Sequence, residues 1–334
     1  MSAAATPLLE LRGVSKRFEK RLDFAGRVAR RLGARLSEST VHAVDDVSLE
    51  VREREVVGLV GESGCGKTTL GRLVARILPP SGGERLWKGR PYAAYEDATA
   101  RAERLAVQMI FQDPYASLNP RLRIAQIVGE APVVHGLVSR RERDEYVRDL
   151  LARVGMDASA MRRFPHQFSG GQRSRIGIAR ALAVKPRFLV CDEAVAALDV
   201  SIQAQVLNLF IKLREELALT YLFISHDLGV VRHISDRVVV MYLGRVVETG
   251  PTEALYDQPN HPYTQALVAE VPRVDLRRRR YVPVRGEIPS PLDPPTGCHF
   301  HPRCPHAFDR CRTEVPALRR IGEERLSACH LNDR

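Results

Sequence analysis

The chain has 334 residues, of which 44% are hydrophobic and 27% charged; this composition is typical of a folded globular protein and excludes a disordered one. The formal net charge of +11 predicts an anionic partner, such as a nucleotide, a nucleic acid or a lipid headgroup surface. No apolar run approaches the roughly 20 residues of a membrane span, and the N-terminus lacks the pattern of a secretory signal. We therefore expect a protein that stays in the cytoplasm.

Positive charge is concentrated in two segments, residues 16–35 and the four consecutive arginines at 277–280. Such segments are usually solvated faces or linkers. The alternative is a contact with the anionic inner leaflet of a membrane, which would stabilise the bound state by about 1 kcal/mol per basic residue near the surface.

Short β-like runs alternate with helical patterns between residues 8 and 269, which predicts an α/β domain with a largely parallel sheet. Strands are predicted over residues 56–60, 188–191, 221–224 and 238–243. The first three end in a glycine-rich turn, in Asp192-Glu193 and in Ser-His-Asp at 225–227. Ligands of such sheets bind at the carboxyl ends of the strands, so we expect these polar clusters to lie at that edge.

Helices are predicted over residues 139–154 and 170–183, with Ser139 and Ser169 as their N-caps, and over residues 201–217. The apolar face of the third helix is formed by Val206, Leu209, Phe210, Leu213 and Leu217. We expect a helical subdomain at about residues 115–185, inserted between the strands.

A phosphate-binding loop pattern, Gly-Glu-Ser-Gly-Cys-Gly-Lys-Thr, occupies residues 61–68 between a predicted strand and a predicted helix. Glycines let backbone N–H groups curl around phosphate oxygens, and the helix N-terminus adds its positive dipole end. Lys67 would reach the β- and γ-phosphates of ATP, and the Thr68 hydroxyl would bind Mg²⁺. The candidate nucleotide-binding residues here are Gly61, Glu62, Ser63, Gly64, Cys65, Gly66, Lys67, Thr68 and Thr69.

The predicted strand at 188–191 is followed by Asp192 and Glu193. Two acids at a strand end often make only salt bridges. Beside a phosphate loop, Asp192 would instead help hold Mg²⁺, and Glu193 would orient or deprotonate the attacking water.

The sequence Phe-Ser-Gly-Gly-Gln-Arg at 168–173 resembles the signature motif of ABC ATPases. Together with the phosphate loop, Gln112, Asp192-Glu193, the Ala-Leu-Asp of 197–199 and the Ser-His-Asp of 225–227, the motifs of this family appear in its usual order. The resemblance implies a P-loop NTPase of ABC type with an inserted helical subdomain.

The resemblance also implies a role for each motif residue. Gln112 is similar to the glutamine that contacts Mg²⁺ and senses the membrane subunit, His226 to the histidine that contacts the γ-phosphate, and Asp199 to the aspartate at the dimer interface. Glu193, His226, Lys67 and Gln112 are thus the candidate catalytic residues. Thr68, Gln112 and Asp192 are the candidate Mg²⁺ ligands.

The signature residues would bind the ATP held by a partner subunit; they are Ser169, Gly170, Gly171 and Gln172. Phe18 is the best match for the aromatic residue that stacks on adenine. The chain departs from the family at Ala194, usually proline, and at Ala196, usually serine. Neither position supplies a catalytic group, so the departures concern loop rigidity and interface packing.

Residues 111–121, 261–272 and 286–312 resemble ATPase subunits of oligopeptide and dipeptide importers, especially the F-type subunits, and the resemblance covers about residues 8 to 330. It implies a peripheral protein on the cytoplasmic face of the membrane that pairs with a D-type ATPase subunit beneath two permease subunits. An extracytoplasmic binding protein would deliver the substrate, and no nucleic acid would take part. Alternatives are a nickel or oligosaccharide importer, an ABC ATPase of nucleic-acid maintenance, and a non-catalytic metal or redox module.

Prolines become frequent after residue 271, so we expect no long helix or central strand there. We predict an ABC nucleotide-binding domain over residues 1–270 and a proline-rich extension over residues 271–334. The extension contains Cys298, Cys304, Cys311 and Cys329, which could hold zinc, bind an iron–sulfur cluster or stay free thiols. Resemblance to importer ATPases with a C-terminal [4Fe–4S] site favours the cluster, whose role would be structural.

Overall fold

The computed structural model describes residues 6–20, 39–92, 98–113, 117–271 and 286–333. Within them, the chain divides into two compact units. The first unit comprises Val51–Leu59 and Trp87–Asp236 together with the residues up to Leu8, and the second comprises Leu9–Glu50, Val60–Leu86 and Arg237–Arg334. The basic segment 277–280, and all of 16–35 beyond residue 20, lie outside the described residues.

The chain forms strands and helices in alternation. The strands are β1 (Leu9–Lys20), β2 (Ser39–Val51), β3 (Val56–Val60), β4 (Gly82–Trp87), β5 (Arg90–Pro91), β6 (Val107–Ile110), β7 (Phe188–Asp192), β8 (Thr220–Ile224), β9 (Arg237–Tyr242), β10 (Arg245–Pro251), β11 (Arg319–Gly322) and β12 (Arg325–Ser327). The α-helices are α1 (Lys67–Val74), α2 (Ala98–Leu105), α3 (Ile124–Val134), α4 (Arg143–Arg153), α5 (Gly170–Leu182), α6 (Val200–Leu217), α7 (Leu228–Ile234), α8 (Thr252–Asp257), α9 (Pro262–Ala269) and α10 (Asp309–Thr313). Short 3₁₀ turns cover Ala158–Arg162, Pro165–Gln167, His301–Arg303 and His330–Asp333.

A parallel sheet in the order β3-β8-β7-β6 forms the core of the first unit. Every residue of β3, β7 and β8 is buried, as expected of parallel strands covered on both faces. The predicted α/β architecture and its three central strands are confirmed. Strand β7 runs one residue further than predicted and ends at Asp192.

Helices cover the region predicted as a helical subdomain, from which residues 114–116 are not described. Helix α4 begins at Arg143 and not at Ser139. The Glu142 N–H donates to the Ser139 hydroxyl at 3.3 Å, and the Ser139 N–H donates to the Glu142 carboxylate at 2.9 Å. This reciprocal pair closes a turn before the helix, so Ser139 caps the turn and not the helix itself.

Helix α6 has the predicted apolar face, and Val206, Leu209, Phe210 and Leu213 are buried. Leu217 is exposed because it is the last residue of the helix. No helix in the described parts of the chain is both long and apolar enough to cross a bilayer.

The second unit contains the sheet order β2-β1-β4 and the antiparallel order β11-β12-β10-β9. As expected, residues 286–316 form only short turns and the five-residue helix α10. Strand β12, however, pairs with strands on both sides, so the expectation of no central strand was wrong there. Strands β11 and β12 follow the last proline, Pro316, and their N–H groups are free to join a ladder.

Candidate functional site

The loop after β3 has a backbone that only glycine can adopt at two positions. Gly61 has a φ of 151° and Gly66 a φ of 107°. A Cβ atom would lie 2.1 Å from the Met241 carbonyl oxygen at Gly61 and 2.1 Å from the Ala43 carbonyl oxygen at Gly66. A residue with a side chain at either position would therefore need an unfavourable φ and would collide with a carbonyl oxygen. Helix α1 starts directly after Gly66, at Lys67.

Lys67 is 4% exposed. Its ammonium donates to the carbonyl oxygens of Gly61 at 2.6 Å and Glu62 at 2.9 Å. Carbonyl groups solvate a buried ammonium without neutralising it, so the positive charge remains for an anionic ligand. The buried Cys65 thiol is held neutral because burial raises its pKa.

Two residues that the sequence did not single out contact the same loop. Tyr263 accepts a hydrogen bond from the Glu62 N–H, and Arg303 pairs with the Glu62 carboxylate. Tyr263 lies in the segment that resembles peptide-importer ATPases, and Arg303 directly precedes Cys304. Their position beside those motifs was the only signal in the sequence.

Three candidate catalytic residues meet at Glu193 in the first unit. The Gln112 side-chain amide donates to Glu193 Oε2 at 2.7 Å, and His226 Nδ1 lies 3.4 Å from Glu193 Oε1. The Glu193 side chain is 15% exposed and that of His226 57% exposed. The arrangement of Gln112 and His226 around Glu193 is consistent with the prediction that the three residues share a site.

Glu193 has an unusual backbone for a residue with a side chain. Its φ is +47°, a left-handed conformation that costs free energy outside glycine and clusters at functional sites. The N–H of Glu193 donates to the Ile224 carbonyl oxygen at 3.0 Å, which ties this turn to the end of β8. The neighbouring Asp192 is buried at the end of β7.

His226 lies in a turn that is fixed on both sides. The N–H of Asp227 donates to the Ser225 hydroxyl at 3.0 Å, and the Asp227 carboxylate accepts from the Val230 N–H at 3.1 Å. Asp227 thereby caps α7. The imidazole itself stays exposed.

The signature segment forms the predicted helix start. The Ser169 hydroxyl accepts from the Gln172 N–H at 3.4 Å, and the Gln172 side chain accepts from the Ser169 N–H at 3.0 Å. A Cβ on Gly171 would lie 2.4 Å from Ile202 Cγ2, so this glycine permits close packing of α5 on α6. Gly170 precedes it as the first residue of α5.

The turn between β7 and α6 carries both departures from the family. Ala194 is buried and its carbonyl oxygen accepts from the Ser174 hydroxyl at 3.4 Å, which links this turn to α5. Ala196 and Asp199 are exposed. Asp199 precedes α6 without capping it through its side chain, which leaves its carboxylate at the surface.

Phe18 lies on β1 with an exposed ring. The Lys16 ammonium is 5.3 Å from the ring centroid. An exposed aromatic face is compatible with base stacking, and the adenine role of Phe18 stays a prediction.

The four cysteines of the extension lie near one another. Burial, together with the neighbouring thiols, raises the pKa of Cys298 to about 11 and raises the pKa values of Cys304 and Cys329. Among the described residues, no group of three or more histidines, cysteines or acids could hold a metal ion. The structure therefore does not support the predicted zinc or iron–sulfur site at Cys298, Cys304, Cys311 and Cys329.

Comparisons with known proteins agree with the motif order. The family model described as ABC transporter matches residues 44–196, and the model described as oligopeptide/dipeptide transporter, C-terminal region, matches residues 247–311. The oligopeptide transport ATP-binding protein AppF of Bacillus subtilis is 50% identical over 329 residues, which cover 97% of this chain and 97% of the relative.

Solved structures give the same fold. The cbiO1 protein of Clostridium perfringens, part of an ABC transporter complex, is 25% identical, has a TM-score of 0.61 and is matched over 76% of this chain and 92% of its own. The ATP-binding cassette MJ0796, a dimer bound to ADP and Pi, is 25% identical, has a TM-score of 0.60 and is matched over 73% of this chain and 98% of its own. The chain therefore belongs to the oligopeptide/dipeptide family of ABC transporter ATP-binding subunits, which are ATPases coupled to transport.

Proposed function

We propose that this chain binds MgATP and hydrolyses it to drive the import of peptides through separate membrane subunits. The observation that carries the proposal is the convergence of Gln112 and His226 on the Glu193 carboxylate. A carboxylate held by an amide and an imidazole suits the activation of water for attack on a phosphate. The peptide cargo is supported by the name of AppF and by the match of residues 247–311.

The phosphate loop would hold the nucleotide. Lys67 is buried against carbonyl oxygens, and its charge would balance the β- and γ-phosphates. The glycines at 61 and 66 keep the backbone open where a Cβ atom would collide with carbonyl oxygens. This arrangement fits a triphosphate, because backbone N–H groups and a lysine are the usual partners of phosphate oxygens.

Mg²⁺ is the metal ion that we propose for ATP hydrolysis by this chain. Thr68, Gln112 and Asp192 offer a hydroxyl, an amide and a carboxylate oxygen, the hard donors that Mg²⁺ prefers. When bound, the ion would neutralise the developing charge on the phosphates. These three residues would hold it, Thr68 from the start of α1 and Asp192 from the end of β7.

Glu193 would orient the attacking water and accept its proton at a carboxylate oxygen. The Gln112 amide fixes one oxygen of this carboxylate and His226 faces the other. Because His226 is largely exposed, it can also reach a ligand in front of Glu193. Gln112 and His226 would thus set the direction from which water attacks the γ-phosphate.

The active unit would be a pair of ATPase subunits. Ser169 and Gln172 cap the start of helix α5 reciprocally, and the N–H groups of Gly170 and Gly171 lie in its first turn. One ATP needs only one phosphate loop, so a second helix start of this kind suits a second anion. We propose that this second anion site binds the ATP of the partner, and that the exposed Asp199 contacts the partner at the interface. The dimeric state of MJ0796 supports this arrangement. The partner would be a D-type ATPase subunit, with this chain as the F-type.

The pair would lie on the cytoplasmic face of the membrane beneath two permease subunits, with peptide delivered by an extracytoplasmic binding protein. We propose that residues 1–270 form the nucleotide-binding domain and residues 271–334 an extension. Nucleic acid has no role in this proposal.

The proposal is tested by reconstituting the chain with its partner ATPase and permease subunits in proteoliposomes that contain the binding protein. We expect peptide to stimulate ATP hydrolysis and to accumulate inside, and neither effect in a Glu193→Gln complex. Stimulation by nickel or oligosaccharide but not by peptide would contradict the peptide cargo. An absence of ATP hydrolysis in the intact complex would contradict the catalytic roles.

A further inference from the structure

Glu62, the second residue of the phosphate loop, is held at three points. Its carbonyl oxygen accepts from the Lys67 ammonium at 2.9 Å. Its N–H donates to the Tyr263 hydroxyl at 2.8 Å, and its carboxylate pairs with the Arg303 guanidinium. Two of the three anchors are thus side chains from the last quarter of the chain, 201 and 241 residues away in sequence.

The pair of Glu62 and Arg303 is bidentate. Arg303 Nη1 lies 2.7 Å from Glu62 Oε2, and Nη2 lies 2.9 Å from Oε1. The Arg303 side chain is 5% exposed, whereas that of Glu62 is 23% exposed. A parallel two-bond geometry fixes orientation as well as distance, and only arginine provides it.

Arg303 is itself held by aromatic residues of the same unit. It donates to the Tyr242 hydroxyl at 3.4 Å, and its guanidinium carbon lies 6.0 Å from the Phe300 ring centroid. The rings of Tyr242, Tyr263 and Phe300 contact one another with centroid distances of 4.7, 5.2 and 5.4 Å. A guanidinium fixed in this way is a rigid anchor for the loop.

The loop backbone cannot compensate for the loss of this anchor. Gly64 lies in open space, and Ser63 and Gly64 are exposed, so the tip of the loop has no packing of its own to hold its shape. Removing Arg303 would free the Glu62 side chain, and the loop would then lose conformational entropy each time it bound a nucleotide. The cost would appear in nucleotide affinity.

We propose that Arg303 of the C-terminal extension is a positioning residue for the phosphate loop and sets its affinity for nucleotide through Glu62. The inference rests on the proposed role of residues 61–68 as the nucleotide site. It gives the extension a task in the ATPase cycle that needs no metal. Because coupling between sites is reciprocal, bound nucleotide would also stabilise the docking of the extension.

The test compares full-length variants by three measurements. Calorimetry gives the Kd for MgATP, steady-state kinetics give the KM and kcat of ATP hydrolysis, and thermal unfolding without nucleotide shows whether each variant is folded. We expect Arg303→Gln to raise the Kd and KM for MgATP about tenfold, with kcat changed less than about twofold, and Arg303→Lys to have an intermediate Kd. Arg310→Gln is the matched control, since Arg310 belongs to the same extension and pairs with the exposed Glu314 and with Asp333. The Kd of this variant for MgATP should equal that of the wild type.

A double-mutant cycle separates positioning from a purely structural role. Glu62→Gln and Arg303→Gln combined should raise the Kd by no more than either single change does. Additive effects on Kd, or an unchanged Kd in a folded Arg303→Gln protein, would overturn the inference. If Arg303→Gln does not fold, Arg303→Lys takes its place in the cycle with Glu62→Gln. The Kd for MgATP of the combined variant should again exceed neither single value, and additive effects would overturn the inference. A wild-type protein that does not bind MgATP would instead overturn the proposed function.

Discussion

The phosphate loop and the Glu193 cluster are built in different ways. Lys67 is 4% exposed and its partners are backbone carbonyl oxygens of its own loop. Glu193 is held by the side chains of Gln112 and His226, and His226 is 57% exposed. The phosphate loop, the proposed binding half, is therefore fixed by its backbone, by burial and by the contacts of Glu62 with Tyr263 and Arg303. The Glu193 cluster, the proposed hydrolytic half, is held by side chains that can rearrange.

The difference has a functional meaning. A loop shaped by glycines and anchored at Glu62 is ready for phosphate before the ligand arrives, which lowers the cost of binding. An exposed histidine on a catalytic carboxylate can change partner when a nucleotide or a second subunit approaches, so turnover can respond to assembly. Substitutions in the loop should thus act on binding or stability, and substitutions in the cluster on turnover.

The sharpest test of this comparison is Glu193→Gln. We expect ATP turnover to fall by about 10³-fold, because an amide cannot accept the proton of the attacking water, while the Kd for MgATP stays within about threefold of the wild type. Single-turnover kinetics and equilibrium binding measure the two quantities separately. Wild-type turnover in this variant would remove Glu193 from the mechanism.

The opposite pattern is expected for Lys67→Ala. Loss of a charge-assisted contact worth about 2–3 kcal/mol would weaken MgATP binding roughly 30- to 150-fold. Lys212→Ala serves as the control, since Lys212 forms an exposed pair with Glu216 on helix α6. If Lys67→Ala lowered turnover at saturation and left the Kd unchanged, the division between the two halves would be wrong.

The signature helix depends on a single small residue. A Cβ at Gly171 would lie 2.4 Å from Ile202 Cγ2, and we expect Gly171→Ala to lower the free energy of unfolding by about 1–3 kcal/mol through overpacking. Gly177, in the same helix, has nothing within 4 Å of its missing Cβ. Gly177→Ala should therefore raise the free energy of unfolding by up to about 1 kcal/mol. Denaturant unfolding measures the free energy of unfolding of both variants. A change of the same sign in Gly171→Ala and Gly177→Ala would contradict the prediction.

The sequence predicted the strands that precede the proposed nucleotide motifs, and the Ser169 cap, because those features are local. Continuous apolar runs became the buried strands β3, β7 and β8, and the Ser169 cap formed as its spacing required. The pairing of Arg303 with Glu62 spans 241 residues, and nothing in the local pattern of either residue indicates it. The strand β12 was missed because frequent prolines nearby dominated the interpretation of the whole segment.

The smallest expected effect concerns His261, which supports the loop indirectly. Its imidazole accepts the Tyr263 N–H at 3.1 Å and so caps α9, the helix whose Tyr263 accepts the Glu62 N–H. Burial lowers the pKa of His261 to about 3 from an ordinary value of 6.5. Between these values the unfolded chain binds a proton that the folded chain does not, so stability is full above pH 6.5 and falls as the pH is lowered.

From pH 7.5 to pH 5.5 this single group should lower the free energy of unfolding by about 1.4 kcal/mol. His261→Asn keeps an N-cap acceptor but does not titrate. Between pH 7.5 and pH 5.5, the free energy of unfolding of this variant should therefore fall by about 1.4 kcal/mol less than that of the wild type. The comparison uses the change of unfolding free energy with pH and not absolute stabilities, because asparagine fills the buried site less well. The buried Glu248 carboxylate, which accepts the His261 N–H, is common to both proteins. Equal slopes would mean that the folded chain accommodates a protonated His261, and the loop would then lack the rigid support that distinguishes it from the Glu193 cluster.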